Sequence, residues 1–264
     1  MIQYKKYINS ASSRWVTFIH GAGGSSVMWY RQIRFFPEHF NVLLVDLRGH
    51  GDSQPNAAAA KQQRYTFSEI AKDVIEVLEF ENIEKSHFVG ISLGTIVIRQ
   101  IAELYPEKVA SMVMAGATLE FNLKEKFLLL LGNIFKSVVP YIFIYKIFVF
   151  VVMPGHKRSR NMFIREAKKI CNKELHRLFT LTIGINSVFK LFLKTELPIP
   201  TIYLMGERDY LCLSQIKKLM QSHTHYSQLV IVPNSGHAVN IDNPEFFNRQ
   251  TLSFLERINL EGRR

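Results

Sequence analysis

Short apolar runs, each ending in a turn of small or polar residues and followed by an amphipathic stretch, set the rhythm of this chain. Trp15 to Ile19 (WVTFI) is rich in β-formers and stops at His20-Gly21-Ala22-Gly23-Gly24, a turn suited to small residues. Ser25 or Ser26 is placed to cap a helix running to about Phe36, where Pro37 closes it. A second run, Asn41 to Leu47 (NVLLVDL), ends at Arg48-Gly49-His50-Gly51-Asp52-Ser53 and reads as another strand with a glycine-rich turn. Between Ser68 and Phe80, apolar residues recur at Ile70, Val74, Val77 and Leu78, the spacing of an amphipathic helix with Ser68 as its cap.

The same alternation continues. Ser86 to Ile91 predicts a strand, Thr95 to Tyr105 a helix ended by Pro106, and Val109 to Ala115 a further strand. Late in the chain Thr201 to Met205 and Gln228 to Val232 are short apolar strands around a helical pattern at Gln215 to Met220, and Pro244 to Ile258 resembles a closing helix. Strands that are apolar throughout, rather than on alternate residues, belong to sheets covered on both faces. The pattern therefore predicts an α/β fold with a mostly parallel central sheet, whose ligands gather at the carboxyl ends of the strands.

Residues 120 to 198 break the rhythm. This stretch is helical in character and holds the most apolar segment of the chain, Phe127 to Met153, which Lys136, Pro140 and Lys146 interrupt. A membrane span here would separate motifs that must meet in one body, so the segment reads as a helical cap inserted over the strand ends. The expected division is a core of residues 1–119 and 199–264 with a cap of residues 120–198.

Charge sharpens that division. The formal net charge is +11, and residues 121 to 195 alone carry 14 Lys/Arg against three acidic residues, leaving 19 of each sign elsewhere. A localised excess on a cap points to acidic substrates or an anionic membrane surface touched peripherally; no recognition motif supports nucleic acid as a partner. Cys171 and Cys212 share no metal or redox spacing, and the polar N-terminus (MIQYKKYINSASSR) lacks a secretory signal, so a cytoplasmic protein is expected, with peripheral membrane contact through the cap.

The chemistry centres on Gly90-Ile91-Ser92-Leu93-Gly94, a G-x-S-x-G stretch directly after one predicted strand and before one predicted helix. A hydroxyl is a poor nucleophile at neutral pH, and it needs exposure on a tight turn within reach of a base. Here the sequence resembles the α/β-hydrolase fold family over nearly its whole length: HGAGG at 20–24, DLRGHGDS at 46–53, GISLG at 90–94, then GERD at 206–209 and SGH at 235–237 follow the family's order. The resemblance implies Ser92 as nucleophile, Asp209 as acid and His237 as base, with the backbone N–H groups of Ala22 and Leu93 as the oxyanion hole. It implies no cofactor. Asp242 is the alternative acid; His20 and His50 are expected to brace their turns, Asp52 and Ser53 to be turn residues, and Asp46 to make a local structural contact.

Neither metal-ligand clustering nor a dinucleotide or phosphate-loop fingerprint is present, and an Asp nucleophile of the dehalogenase or epoxide-hydrolase kind is excluded by Ser92. The expected activity is hydrolysis of a small-molecule carboxylic ester, with a small or medium apolar acyl group, through an acyl-enzyme. The same residues serve a thioesterase, a lactonase or a carbon–carbon bond hydrolase, and a non-catalytic receptor on this fold is the reading from another class.

Overall fold

The computed structural model describes residues 1–53, 65–119, 140–183, 189 and 192–261. Seven strands form one sheet: β1 (Tyr4–Tyr7), β2 (Trp15–Ile19), β3 (Asn41–Val45), β4 (Ser86–Ile91), β5 (Val109–Ala115), β6 (Thr201–Gly206) and β7 (Ser227–Val232). Their spatial order is β1-β3-β2-β4-β5-β6-β7, with β1 antiparallel to β3 and every other pair parallel. Every residue of β3, β4 and β6 is buried, which is why their sequences lack alternation. The polar β1 (YKKY) gave no strand signal because it lies at an edge, with both lysines exposed.

Helices connect these strands: α1 (Phe67–Phe80), α2 (Leu93–Leu104), α3 (Tyr141–Val152), α4 (Lys157–Ala167), α5 (Asn172–Ile183), α6 (Leu213–Leu219), the single turn α7 (Val239–Asp242), and α8 (Pro244–Glu261). The cap of α1 is Thr66 rather than Ser68, its hydroxyl accepting from the Glu69 N–H at 3.2 Å. Helix α2 begins two residues earlier than its periodicity suggests, immediately after Ser92. The third strand stops at Val45 rather than Leu47, because the Leu47 N–H leaves the ladder to reach His20 Nε2 at 3.0 Å.

The helix expected from Ser25 to Phe36 does not form. Ser25 does cap, but the chain makes a 3₁₀ turn over Ser26–Trp29, further turns, and a second 3₁₀ turn over Phe36–Glu38 that contains Pro37. Met28, Trp29, Gln32 and Phe36 are all fully buried, so their spacing mimics one helical face. Aromatic packing dictates the path: Phe18 of β2 contacts Trp29 at 4.9 Å and Phe36 at 5.3 Å between centroids, and Trp29 reaches Phe247 of α8 at 6.3 Å. Each of these buried phenylalanines is worth about 1.5–3 kcal/mol, more than local helix propensity can offset.

Between β5 and β6 the described residues form α3, α4 and α5, with Pro140 in an extended conformation ahead of α3. The first part of the apolar segment, through residue 139, lies outside the described residues. Among those described, no helix is long and apolar enough to cross a membrane.

Candidate active site

Register along the sheet brings the motif turns to one edge. Ile19 pairs with Gly90, Ile91 with Ala115, Ala115 with Leu204, and Gly206 with Val232. The turns beginning at His20, Ser92, Gly116 and Glu207 therefore leave the sheet side by side at its carboxyl end, where parallel sheets bind ligands.

Ser92 sits between β4 and α2 with φ 53° and ψ −118°, a backbone conformation that L-residues rarely adopt. Its N–H is fixed to the Ala115 carbonyl at 3.0 Å, and its carbonyl accepts from Thr95 N–H and Oγ1 at 2.9 and 2.6 Å. The sharp turn requires β4, α2 and β2 to pack closely: a Cβ on Gly94 would lie 2.3 Å from the Ile19 carbonyl oxygen. The result is a half-buried hydroxyl at the positive end of α2, which among the described residues has no hydrogen-bond partner.

His237 and Asp209 are brought together 28 residues apart. His237 Nδ1 donates to Asp209 Oδ2 at 2.9 Å, both side chains are buried, and Asp209 Oδ1 accepts from the Cys212 N–H at 3.3 Å. His237 Nε2 is buried and unpartnered among the described residues. Gly116, the residue after β5, packs against this histidine: a Cβ there would meet the His237 carbonyl oxygen at 2.3 Å. Burial draws the His237 pKa down, but the Asp209 charge and hydrogen bond outweigh it and hold the imidazole well above its ordinary value.

Asp242, the other acid considered, turns elsewhere. One oxygen accepts from the Gly236 N–H at 2.9 Å and lies 3.0 Å from His156 Nδ1, while the other accepts from Ser159 Oγ of α4. It ties the loop before His237 to α4. Asp46 is likewise structural, its carboxylate accepting from the N–H groups of Ser26 at 2.6 Å and Asp52 at 2.9 Å, while Arg48 pairs instead with Asp73. Ser53 Oγ donates to the Asp46 carbonyl at 2.6 Å.

The backbone of residues 20–24 folds back on itself through a Gly24 N–H to Gly21 carbonyl bond of 3.0 Å. His20 Nδ1 donates to the same Gly21 carbonyl at 2.8 Å, and its Nε2 accepts from Leu47. His50 Nδ1 donates to the Arg48 carbonyl at 3.0 Å, and its Nε2 accepts from the Gly23 N–H at 3.1 Å. Both histidines thus brace turns as neutral rings; burial lowers the His20 pKa and takes that of His50 down to about 3. Among the described residues no group accepts from the N–H of Ala22 or of Leu93.

Sequence reasoning missed three neighbours of this site. Tyr145 of α3 donates to the Ala22 carbonyl at 2.8 Å, Glu166 of α4 accepts from Ser25 Oγ at 2.8 Å, and Phe163 of α4 approaches Gly21 beside Ser92. All three lie in the basic, helical stretch whose pattern carries no such signal. It also set Cys212 aside, although the thiol sits against the buried pair: ligand atoms of Asp209, Cys212 and His237 lie within 4.8 Å of one another. Those three are the described residues able to hold a metal, yet Asp209 and His237 already satisfy each other. Burial and the Asp209 charge raise the Cys212 pKa, so the thiol stays protonated.

A family model described as the α/β-hydrolase fold matches residues 14–139. The pimeloyl-[acyl-carrier protein] methyl ester esterase of Wigglesworthia glossinidia brevipalpis is 25% identical, covering 92% of this chain and 94% of that protein. The (E)-2-((N-methylformamido)methylene)succinate hydrolase of Acinetobacter baylyi is 22% identical, covering 95% and 93%. Among solved structures, the enol-lactonase from Burkholderia xenovorans LB400 superposes with a TM-score of 0.80 at 16% identity, covering 97% of this chain and 96% of that one.

Proposed function

We propose that this chain, which has the fold of the α/β-hydrolases and matches their family model over residues 14–139, is a serine hydrolase cleaving a carboxylic ester through an acyl-enzyme. The observation that carries this reading is the buried Asp209–His237 hydrogen bond, which leaves Nε2 unpartnered at the edge of the sheet where the strained Ser92 turn lies. In this mechanism His237 Nε2 takes the Ser92 proton as Oγ attacks the carbonyl, then returns it to the leaving alcohol; water repeats the sequence to release the acid. Asp209 holds the Nδ1–H tautomer and stabilises the imidazolium. The Ala22 and Leu93 N–H groups receive the developing oxyanion, a role supported by their lack of other acceptors.

Fluorophosphonate labelling tests the nucleophile. Wild type should be labelled and Ser92→Ala should not; undiminished labelling of that variant would sink the assignment. A panel of p-nitrophenyl esters of rising acyl length should be turned over in a Ser92-dependent way, and no turnover at any length would favour a receptor. Thioesters, lactones and carbon–carbon bonds remain substrates that the same residues could cleave, and relatives named as differently as a methyl ester esterase and an (E)-2-((N-methylformamido)methylene)succinate hydrolase support breadth in this chemistry.

Residues 120–198 are proposed as a cap that sets the acyl pocket, a reading supported by Phe163 beside Gly21 and Ser92. Its basic exterior and the exposed Phe143, Ile147 and Phe150, spaced along one stripe of α3, support peripheral contact with anionic lipid. Co-sedimentation that is equally weak with neutral and anionic liposomes would refute the contact. Two unpaired cysteines, Cys171 exposed and Cys212 buried, support a reducing compartment.

A further inference from the structure

The peptide unit joining Ala22 to Gly23 is held at both edges. Its carbonyl oxygen accepts the Tyr145 hydroxyl at 2.8 Å, and its N–H donates to His50 Nε2 at 3.1 Å. The anchors come from different parts of the chain. His50 belongs to the turn after β3, whereas Tyr145 arrives on α3, 123 residues beyond Ala22. Tyr145 is only 2% exposed, and its ring occupies the space a side chain at position 23 would need: a Cβ on Gly23, where φ is +71°, would lie 2.4 Å from Cζ and Oη.

Each anchor has a fixed hydrogen-bonding sense. Burial holds the Tyr145 phenol far above its ordinary pKa, so it remains a donor. His50 faces the Arg48 carbonyl with Nδ1, so the proton resides there and Nε2 is left to accept. One peptide earlier, the Gly21 carbonyl takes both Gly24 N–H and His20 Nδ1. The Ala22 N–H belongs to that Gly21–Ala22 unit, which joins the clamped Ala22–Gly23 unit at the Ala22 Cα, and it bonds to nothing among the described residues.

We propose that Tyr145 is a positioning residue for the oxyanion hole: with His50 it locks the Ala22–Gly23 peptide and so fixes the Ala22 Cα, limiting rotation of the adjoining Gly21–Ala22 peptide, so that the Ala22 N–H keeps its aim while charge develops on the substrate oxygen. The inference rests on the serine-hydrolase reading. Attack forms the bond from Ser92 Oγ to the carbonyl carbon, moves the C=O π pair onto oxygen, and sends the Ser92 proton to His237 Nε2. A donor contributes fully to that step only if it needs no reorganisation when the anion appears. A run containing Gly21, Gly23 and Gly24 has the widest backbone freedom available and does not hold such an aim alone. Docking of α3 on the core thereby becomes a condition for catalysis as well as for enclosing substrate.

Tyr145→Phe keeps the ring and removes only the hydroxyl. Loss of a whole oxyanion donor costs roughly 10²–10³-fold in kcat, so a donor that remains but wanders should cost about 10-fold, with KM changed less than about twofold. Affinity for an aryl trifluoromethyl ketone, whose Ser92 adduct carries the same oxyanion, should fall by the same factor. Amide exchange at Gly23 should accelerate by about 10-fold as its peptide loosens. Gly23→Ala, which puts a methyl group into the Tyr145 ring, should lower kcat at least as far. The proposal is overturned if kcat and ketone affinity in Tyr145→Phe stay within twofold of wild type, or if KM alone rises, the signature of a cap that merely seats substrate. Exchange at Gly23 reads the clamp without turnover. Faster exchange in a protein that shows no Ser92-dependent hydrolysis would therefore locate the failure in the hydrolase reading, and would remove the catalytic role of Tyr145 with it.

Discussion

Replacing Ser92 by glycine should make the protein more stable than replacing it by alanine, although both variants lose the proposed nucleophile. At φ 53° and ψ −118° any residue with a Cβ is strained, by about 1–3 kcal/mol for a sparsely populated backbone region. The alanine variant keeps that strain and loses no hydrogen bond seen among the described residues, so its stability should lie close to wild type. Glycine removes the strain but admits more freedom to the unfolded chain, a cost of roughly 0.5–1 kcal/mol. The difference leaves Ser92→Gly ahead of Ser92→Ala by about 1 kcal/mol, or roughly 3 °C in thermal midpoint for a chain of this size. Urea unfolding of the two variants, followed by tryptophan fluorescence, measures the gap directly, provided the slopes with denaturant agree. A glycine variant equal to or less stable than the alanine one would refute the claim that this turn stores strain. The trade is the expected one for a functional turn: stability is given up to hold a hydroxyl clear of the sheet.

Other consequences concern the pair behind Ser92. Because His237 must be neutral to accept a proton and Asp209 holds its pKa above the ordinary value, the acid limb of kcat/KM should have its midpoint above about 6.5; a midpoint below that value in a pH–rate profile would contradict the assigned coupling. The sign for stability is the reverse: with the folded pKa raised, the pair's contribution is full below the unfolded value and fades as pH rises through the folded one. Asp209→Asn should cut kcat by about 10⁴-fold and shift the residual limb to lower pH, whereas Asp242→Asn, which loosens the loop before His237, should cost far less activity and mainly lower stability; equal losses in ester turnover would undo the distinction between the two acids. Gly94→Ala places a methyl group 2.3 Å from the Ile19 backbone oxygen and should destabilise by about 3 kcal/mol, read as a lower urea midpoint, and an unchanged midpoint would mean that α2 can draw away from β2.

Much of this architecture was legible in one dimension, for a physical reason. A parallel sheet buried on both faces demands runs of apolar β-formers, and its turns demand small residues, so β2 to β6 and the turns after them announce themselves locally, as does the apolar run of the less buried β7. Ser92, Asp209 and His237 could be named because each follows such a run in the family's order; the placement of all three at one edge follows from strand register. Edge strand β1 escaped notice because its sequence, YKKY, exposes two central lysines and offers no apolar run, and residues 25–36 misled because burial at Met28, Trp29, Gln32 and Phe36 imitates a helical face while the aromatic core dictates tighter turns.

Only the folded chain decided what surrounds Ser92, Asp209 and His237. The resemblance already favoured Asp209 over Asp242, and in the folded chain the His237 ring faces Asp209 while Asp242 turns to Gly236, His156 and Ser159. Tyr145 and Glu166 meet the loop at Ala22 and Ser25 across 123 and 141 residues of chain, distances at which no periodicity or spacing survives. Strand runs and turn residues obey local rules of backbone geometry and burial, so the sequence by itself determined strands β2 to β7 and the order of the chemical groups. The clamp on the oxyanion loop depends on single hydrogen bonds between distant segments, and those exist only once packing has brought the segments together.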